Sequence, residues 1–206
     1  MKKSLFTIAL VLGLLTANAQ IQSLAGPRLG LVYISASPGS SFLNGTTKLF
    51  DDLPEDYNDI AKGALTSLYG WQWESRFADG GNVTGVVEWI ALVGGMEKGK
   101  FLPSISSMVG ARTASGLEYA VGPNLSFGGI AMVFGMGYNF KSGSLNMPVN
   151  IAFVPGRSGS RLGDSDSNAG FDGVWGTPDD VDGYEYDVDY HTGNRFSITV
   201  GFNLSK

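Results

Sequence analysis

The strongest constraint on this chain is two-residue alternation at its C-terminal end, where Phe196, Ile198, Val200, Phe202 and Leu204 interleave with Arg195, Ser197, Thr199, Gly201 and Asn203. Successive side chains of an extended strand point to opposite faces, so this segment carries one apolar and one polar face. Leu145, Met147, Val149, Ile151 and Phe153 form a second apolar row, opposed by Asn146, Pro148, Asn150 and Ala152. A third runs through Ile130, Met132, Phe134, Met136, Tyr138 and Phe140, opposed by Ala131, Val133, Gly135, Gly137 and Asn139. Noisier strand patterns cover 26–36, 69–78, 83–96, 101–113 and 117–126, which makes eight in all. An even strand number suits a single-chain bacterial barrel, and strands of about 9–11 residues cross a bilayer when tilted. The expected fold is all-β, a single antiparallel up-and-down transmembrane β-barrel of eight strands over residues 20–206, with two long extracellular loops at about 37–68 and 155–192.

The connections sort by length. Asp79-Gly80-Gly81-Asn82, Ala114-Ser115-Gly116 and Lys141-Ser142-Gly143-Ser144 read as tight turns on one side. Residues 37–68, Glu97–Lys100, the Gly122–Gly129 neighbourhood and 155–192 fall on the other, the side where such barrels carry their longer loops. Asp51, Asp52 and Pro54 precede helix-compatible residues, so a short helix is expected around Glu55–Leu68, with a loosely folded loop as the alternative.

Residues 1–19 read as a secretory signal: Lys2 and Lys3, an apolar run from Leu5 to Leu15, then Ala17-Asn18-Ala19 before Gln20. The sequence has no cysteine, which excludes disulfides, thiolate metal sites and a lipidated-cysteine anchor. Removing Lys2 and Lys3 leaves 12 of the 14 basic residues against 19 acidic ones, a net charge of -7 that argues against a nucleic-acid partner. No remaining segment has the roughly 18 consecutive apolar residues of a membrane helix, so a membrane reading rests on strands.

Several stretches carry a resemblance: Gly70-Trp71-Gln72-Trp73-Glu74-Ser75-Arg76-Phe77, Gly85-Val86-Val87-Glu88-Trp89, Val121-Gly122-Pro123-Asn124-Leu125-Ser126, the run from Asn146 to Pro155, and the ending from Arg195 to Leu204. With these the chain resembles a Bacteroidota-type family of small outer-membrane β-barrel proteins. The resemblance implies an outer-membrane location in a Gram-negative bacterium and leaves the function open, since the family has no established catalytic role. The chain ends Leu204-Ser205-Lys206, whereas many outer-membrane barrels end on an aromatic residue.

Parity then sorts the charges. Arg28, Glu74, Arg76, Glu88, Arg112, Glu118 and Arg195 all fall opposite apolar neighbours, so an apolar outer face sends four arginines and three glutamates to one interior. A basic residue turned to lipid at the midplane costs about 2–4 kcal/mol. Inside an eight-stranded barrel the charges can pair, and a packed salt-bridge network plugging a narrow interior is favoured over an ion or solute path. Tyr69, Trp71, Trp73, Phe77, Trp89, Phe101 and Tyr138 are read as interface girdles in preference to carbohydrate-stacking platforms.

The last long loop holds nine acidic residues against Arg157 and Arg161. Asp164, Asp166, Asp172, Asp179, Asp180 and Asp182, interleaved with glycines, suit a hard cation such as calcium, although their spacing is not that of an EF-hand and a solvated acidic loop is the competing reading. No cofactor is required. Catalysis has little to draw on, because the single histidine, His191, has Asp187 and Asp189 nearby but no identifiable nucleophile. The leading expectation is a non-enzymatic outer-membrane barrel, in contact with outer-membrane lipid, whose outer loops bind a surface partner, a polymer or cations, or which serves envelope structure. The alternatives are a soluble exported barrel carrying a lipophilic ligand and an outer-membrane lipid hydrolase using His191.

Overall fold

The computed structural model describes residues 24–46, 62–164, 175–178, 182–183 and 185–205. The expected signal segment lies outside them. The described strands are β1 (Leu24–Ile34), β2 (Ala64–Asp79), β3 (Val83–Gly94), β4 (Leu102–Thr113), β5 (Leu117–Ser126), β6 (Gly129–Ser142), β7 (Leu145–Val154), β8 (Ser158–Asp164), β9 (Glu185–His191), β10 (Arg195–Gly201) and β11 (Asn203–Ser205). Strands β1 to β7 pair in sequence order and antiparallel, and β10 with β11 close the ring between β7 and β1. The result is a closed eight-strand up-and-down β-barrel, with β10 and β11 as two pieces of its eighth strand. Closure leaves the barrel wall no free edge.

The break in that eighth strand has a local cause. Arg28 pairs with Gly201 and Ala25 with Leu204, which places Pro27 opposite Phe202. Proline has no N–H to donate, so only half of that bridge forms, from the Phe202 amide to the Pro27 carbonyl at 3.2 Å.

Short turns gather at one end of the barrel. Gly81, Gly116 and Gly143 take φ of 78°, 101° and 61° in the β2–β3, β4–β5 and β6–β7 turns, a backbone region that side chains with a Cβ rarely enter. The longer connections lie at the other end, with the exception of β5–β6. That connection is only Phe127-Gly128, because β5 continues to Ser126 through the Gly122-Pro123 stretch that had suggested a loop.

Both long loops contain more regular structure than expected. The helix in the first is α1 (Pro38–Asn44), not one at 55–68: residues 55–61 lie outside the described residues, and Ala64–Leu68 already belong to β2. Ser37 fixes the position of α1, since its hydroxyl accepts from the Ser40 amide at 3.1 Å and the Ser40 hydroxyl accepts from the Ser37 amide at 2.9 Å. Pro38 supplies the first turn, and Gly45 in the left-handed region ends the helix. In the second loop β8 and β9 form their own two-stranded sheet, with Ser158 opposite His191 and Asp164 opposite Glu185.

Apolar residues cover the outside of the barrel on every strand, among them Leu31, Trp71, Trp89, Ile105, Phe134 and Ile198, each roughly half exposed. The aromatics do not form girdles alone. Phe77 and Tyr138 lie toward the short turns, and Tyr69 and Phe101 toward the long connections, but Trp71, Trp73 and Trp89 stand in mid-strand, with Trp73 paired to Trp89.

Candidate functional site

Inward-facing residues divide the barrel interior into a polar half near the short turns and an apolar half below the long connections. The polar half centres on Arg112. Its guanidinium donates Nη1 and Nη2 to the two Glu74 carboxylate oxygens at 2.6 Å each, and Nε to Glu118 at 2.6 Å. Strand register makes this necessary, because Glu74 of β2 lies directly opposite Glu88 of β3, an unfavourable like-charge pair. Arg112, on β4 opposite Glu118 of β5, reaches past β3 to bind Glu74 with the planar fork that suits a carboxylate. Glu88 accepts from the Gln72 side-chain amide.

Arg28 completes the cluster from β1. It is buried, acted on by the fields of Glu88, Glu118 and Glu74, and donates Nη1 to the Pro148 carbonyl of β7 at 3.3 Å. Gly201 makes room for it: a Cβ there would lie 2.9 Å from the Arg28 guanidinium carbon. The structure thus brings Arg28, Glu74, Glu88, Arg112 and Glu118 together. It leaves Arg76 half-buried near the turn end, with Nε unpartnered among the described residues, and Arg195 at the other end, donating to the Ser126 hydroxyl at 2.8 Å.

Uncharged members of the cluster escaped a reading based on charge. Gln72 is fully buried two residues before Glu74, on the same face, so parity would have found it. Asn139 and Asn146, paired at 3.2 Å, and buried Asn203 close the turn end of the interior in the same way.

The expected plug therefore fills only half of the barrel. Above it lies a cavity of about 460 Å³, reaching from Glu88 and Glu118 up to Pro38, Gly39 and Arg195. Its walls draw on two apolar clusters: Val32, Ile34 and Leu68, packed on Leu43 of α1, and Met108, Ala120, Val133 and Val154 across the barrel. Asn124 interrupts the apolar wall. It is buried, its Nδ2 donates to Ser106 at 2.9 Å, and its Oδ1 has no partner among the described residues.

At the rim, Glu97 accepts from the hydroxyls of Ser67 and Thr66 and from the Ser67 amide, fastening the β3–β4 connection to β2. These donors, the Ser67 hydroxyl foremost, hold its carboxyl down at about 2, well below the ordinary range.

Of the residues expected to bind calcium, Asp166, Asp172, Asp179 and Asp180 lie outside the described residues, Asp164 ends β8, and Asp182 is exposed. The carboxylates that cluster among the described residues are instead Glu74, Glu88 and Glu118, and Arg112 already binds two of them. His191 is half-buried on the β8–β9 hairpin, beside Ser158, Ser160 and Asp189, and its Nδ1 accepts from the Gly193 amide at 3.1 Å. No family model matches this chain, and no curated protein matches it.

Proposed function

We propose that the protein is a non-enzymatic integral barrel of a Gram-negative outer membrane, exported by cleavage of residues 1–19, with its polar half plugged and its long connections facing outward. One observation carries this reading: apolar side chains cover the outer face of the barrel wall, while Arg28, Arg112 and three glutamates are enclosed within it. A water-soluble protein rarely exposes a contiguous apolar patch beyond a few hundred Å², whereas a lipid-facing barrel requires one. The same observation weighs against a soluble exported carrier. The acidic 155–192 connection, with the β8–β9 hairpin as its stem, is the surface offered to a partner, a polymer or calcium. For a lipid hydrolase, the Gly193 amide would orient His191 through Nδ1, beside Ser158, Ser160 and Asp189.

Orientation is testable because the chain has no native cysteine. In intact cells an impermeant thiol reagent should label Asp182→Cys and spare Ser142→Cys in the β6–β7 turn. Equal labelling, or the reverse pattern, would refute the outward placement of the long connections.

A further inference from the structure

The apolar half of the interior encloses a cavity of the size that takes a ligand. A volume of about 460 Å³ is that of a small-molecule site, since such pockets span about 300–1,000 Å³ and combine apolar walls with a few placed polar groups. Leu68, Ile90, Leu92, Met108, Val133 and Val154 supply walls suited to an alkyl chain.

Two polar features at the wall specify the other end of the ligand. Arg195 lines the cavity, and among the described residues the ion pairs are those of Arg112 with Glu74 and Glu118, so Arg195 takes part in neither. Its Nη1 donates to the Ser126 hydroxyl, two residues from Asn124 on the same inward face of β5. The Asn124 carboxamide can turn so that Oδ1 accepts from the Ser106 hydroxyl and Nδ2 points to a ligand, which satisfies the oxygen now without a partner. A guanidinium held at Ser126 and an amide N–H two residues along β5 then both face the cavity. A single guanidinium matches a single negative charge, and Glu88 and Glu118 at the cavity floor disfavour a more highly charged guest.

We infer that the outward half of this barrel binds a long-chain carboxylate, with its alkyl chain in the apolar cavity and its carboxylate on Arg195 and Asn124. The inference goes beyond the membrane reading and can fail while that reading stands.

The test uses the full chain in phosphatidylcholine vesicles and a palmitate analogue with a diazirine at the chain end. Carbonate-resistant sedimentation reports insertion separately. Photolabelling is expected on inward-facing residues such as Met108 and Val133, with palmitate competing and hexadecanol competing far less. Arg195→Gln should weaken labelling about tenfold, the scale of one charged hydrogen bond. Ala152→Phe, which keeps Arg195 but fills the cavity, should abolish it. Retained heat-modifiable electrophoretic mobility confirms that each variant is folded, so a loss of labelling reads on the site. Labelling confined to outward-facing residues such as Phe134, equal competition by hexadecanol, or undiminished labelling of folded Arg195→Gln would overturn the proposal.

Discussion

Arg112→Met is expected to lower the stability of the reconstituted barrel by about 3–5 kcal/mol, the range for removing one partner of a buried ion pair. The substitution keeps most of the side-chain volume but leaves Glu74 and Glu118 buried without the guanidinium that both now contact. It also restores the direct opposition of Glu74 and Glu88 across β2 and β3. Denaturant titration of the vesicle-embedded protein, followed by loss of heat-modifiable mobility, measures the effect, with exposed Glu185→Ala as a nearly neutral control. Adding Glu74→Gln and Glu118→Gln to the Arg112→Met variant should recover much of the loss, because the cost lies in the uncompensated charges. If Arg112→Met unfolds at the parental denaturant concentration, the cluster is hydrated and does not act as a plug.

The second large effect is steric. Gly122 faces inward on β5, and a Cβ there would run into the Ser107 carbonyl oxygen and sit 2.8 Å from the Met108 Cα. Backbone of the neighbouring strand cannot move aside as a flexible side chain can, so the strand must unbend. Gly122→Ala should cost at least the upper end of the 1–3 kcal/mol typical of overpacking, and should reduce severalfold the fraction that refolds to the compact, heat-modifiable form. Val121→Ala, one residue away on the outer face, should refold as the parent does. Normal refolding of both would show that β5 is not held this close to β4.

What the sequence revealed and what it concealed follow from the same two-part interior. Around Arg112, Glu118, Glu74 and Glu88 the inner face is charged and the outer face apolar, so alternation is plain and strand parity is readable. Near the long connections the inner face is also apolar: Ala64 and Leu68 point in while Leu65 points out, and Ile90 and Leu92 line the cavity while Ala91 and Val93 face away. Alternation vanishes there. For that reason the start of β2 resembled a helix, and the cavity left no trace in the pattern. The position of α1 was written in Ser37-Pro38 and Gly45, a cap signal more specific than the acidic residues at 51 and 52 that drew the helix expectation further along the chain. The β8–β9 hairpin was also visible in principle, since Tyr186, Val188 and Tyr190 alternate with Asp187, Asp189 and His191, but the density of acidic residues made the segment read as an irregular loop.

Lipid contact of the outer wall is accessible to tryptophan fluorescence. Of the four tryptophans, Trp71, Trp73 and Trp89 stand outward on β2 and β3, and Trp175 lies in the 155–192 connection. A Trp175→Phe variant therefore reports from the wall alone. In vesicles of phosphatidylcholine brominated on its acyl chains, most of this emission should be quenched, and aqueous iodide should quench little of it. Emission that brominated lipid leaves intact and iodide quenches would place the wall in water and contradict the membrane barrel.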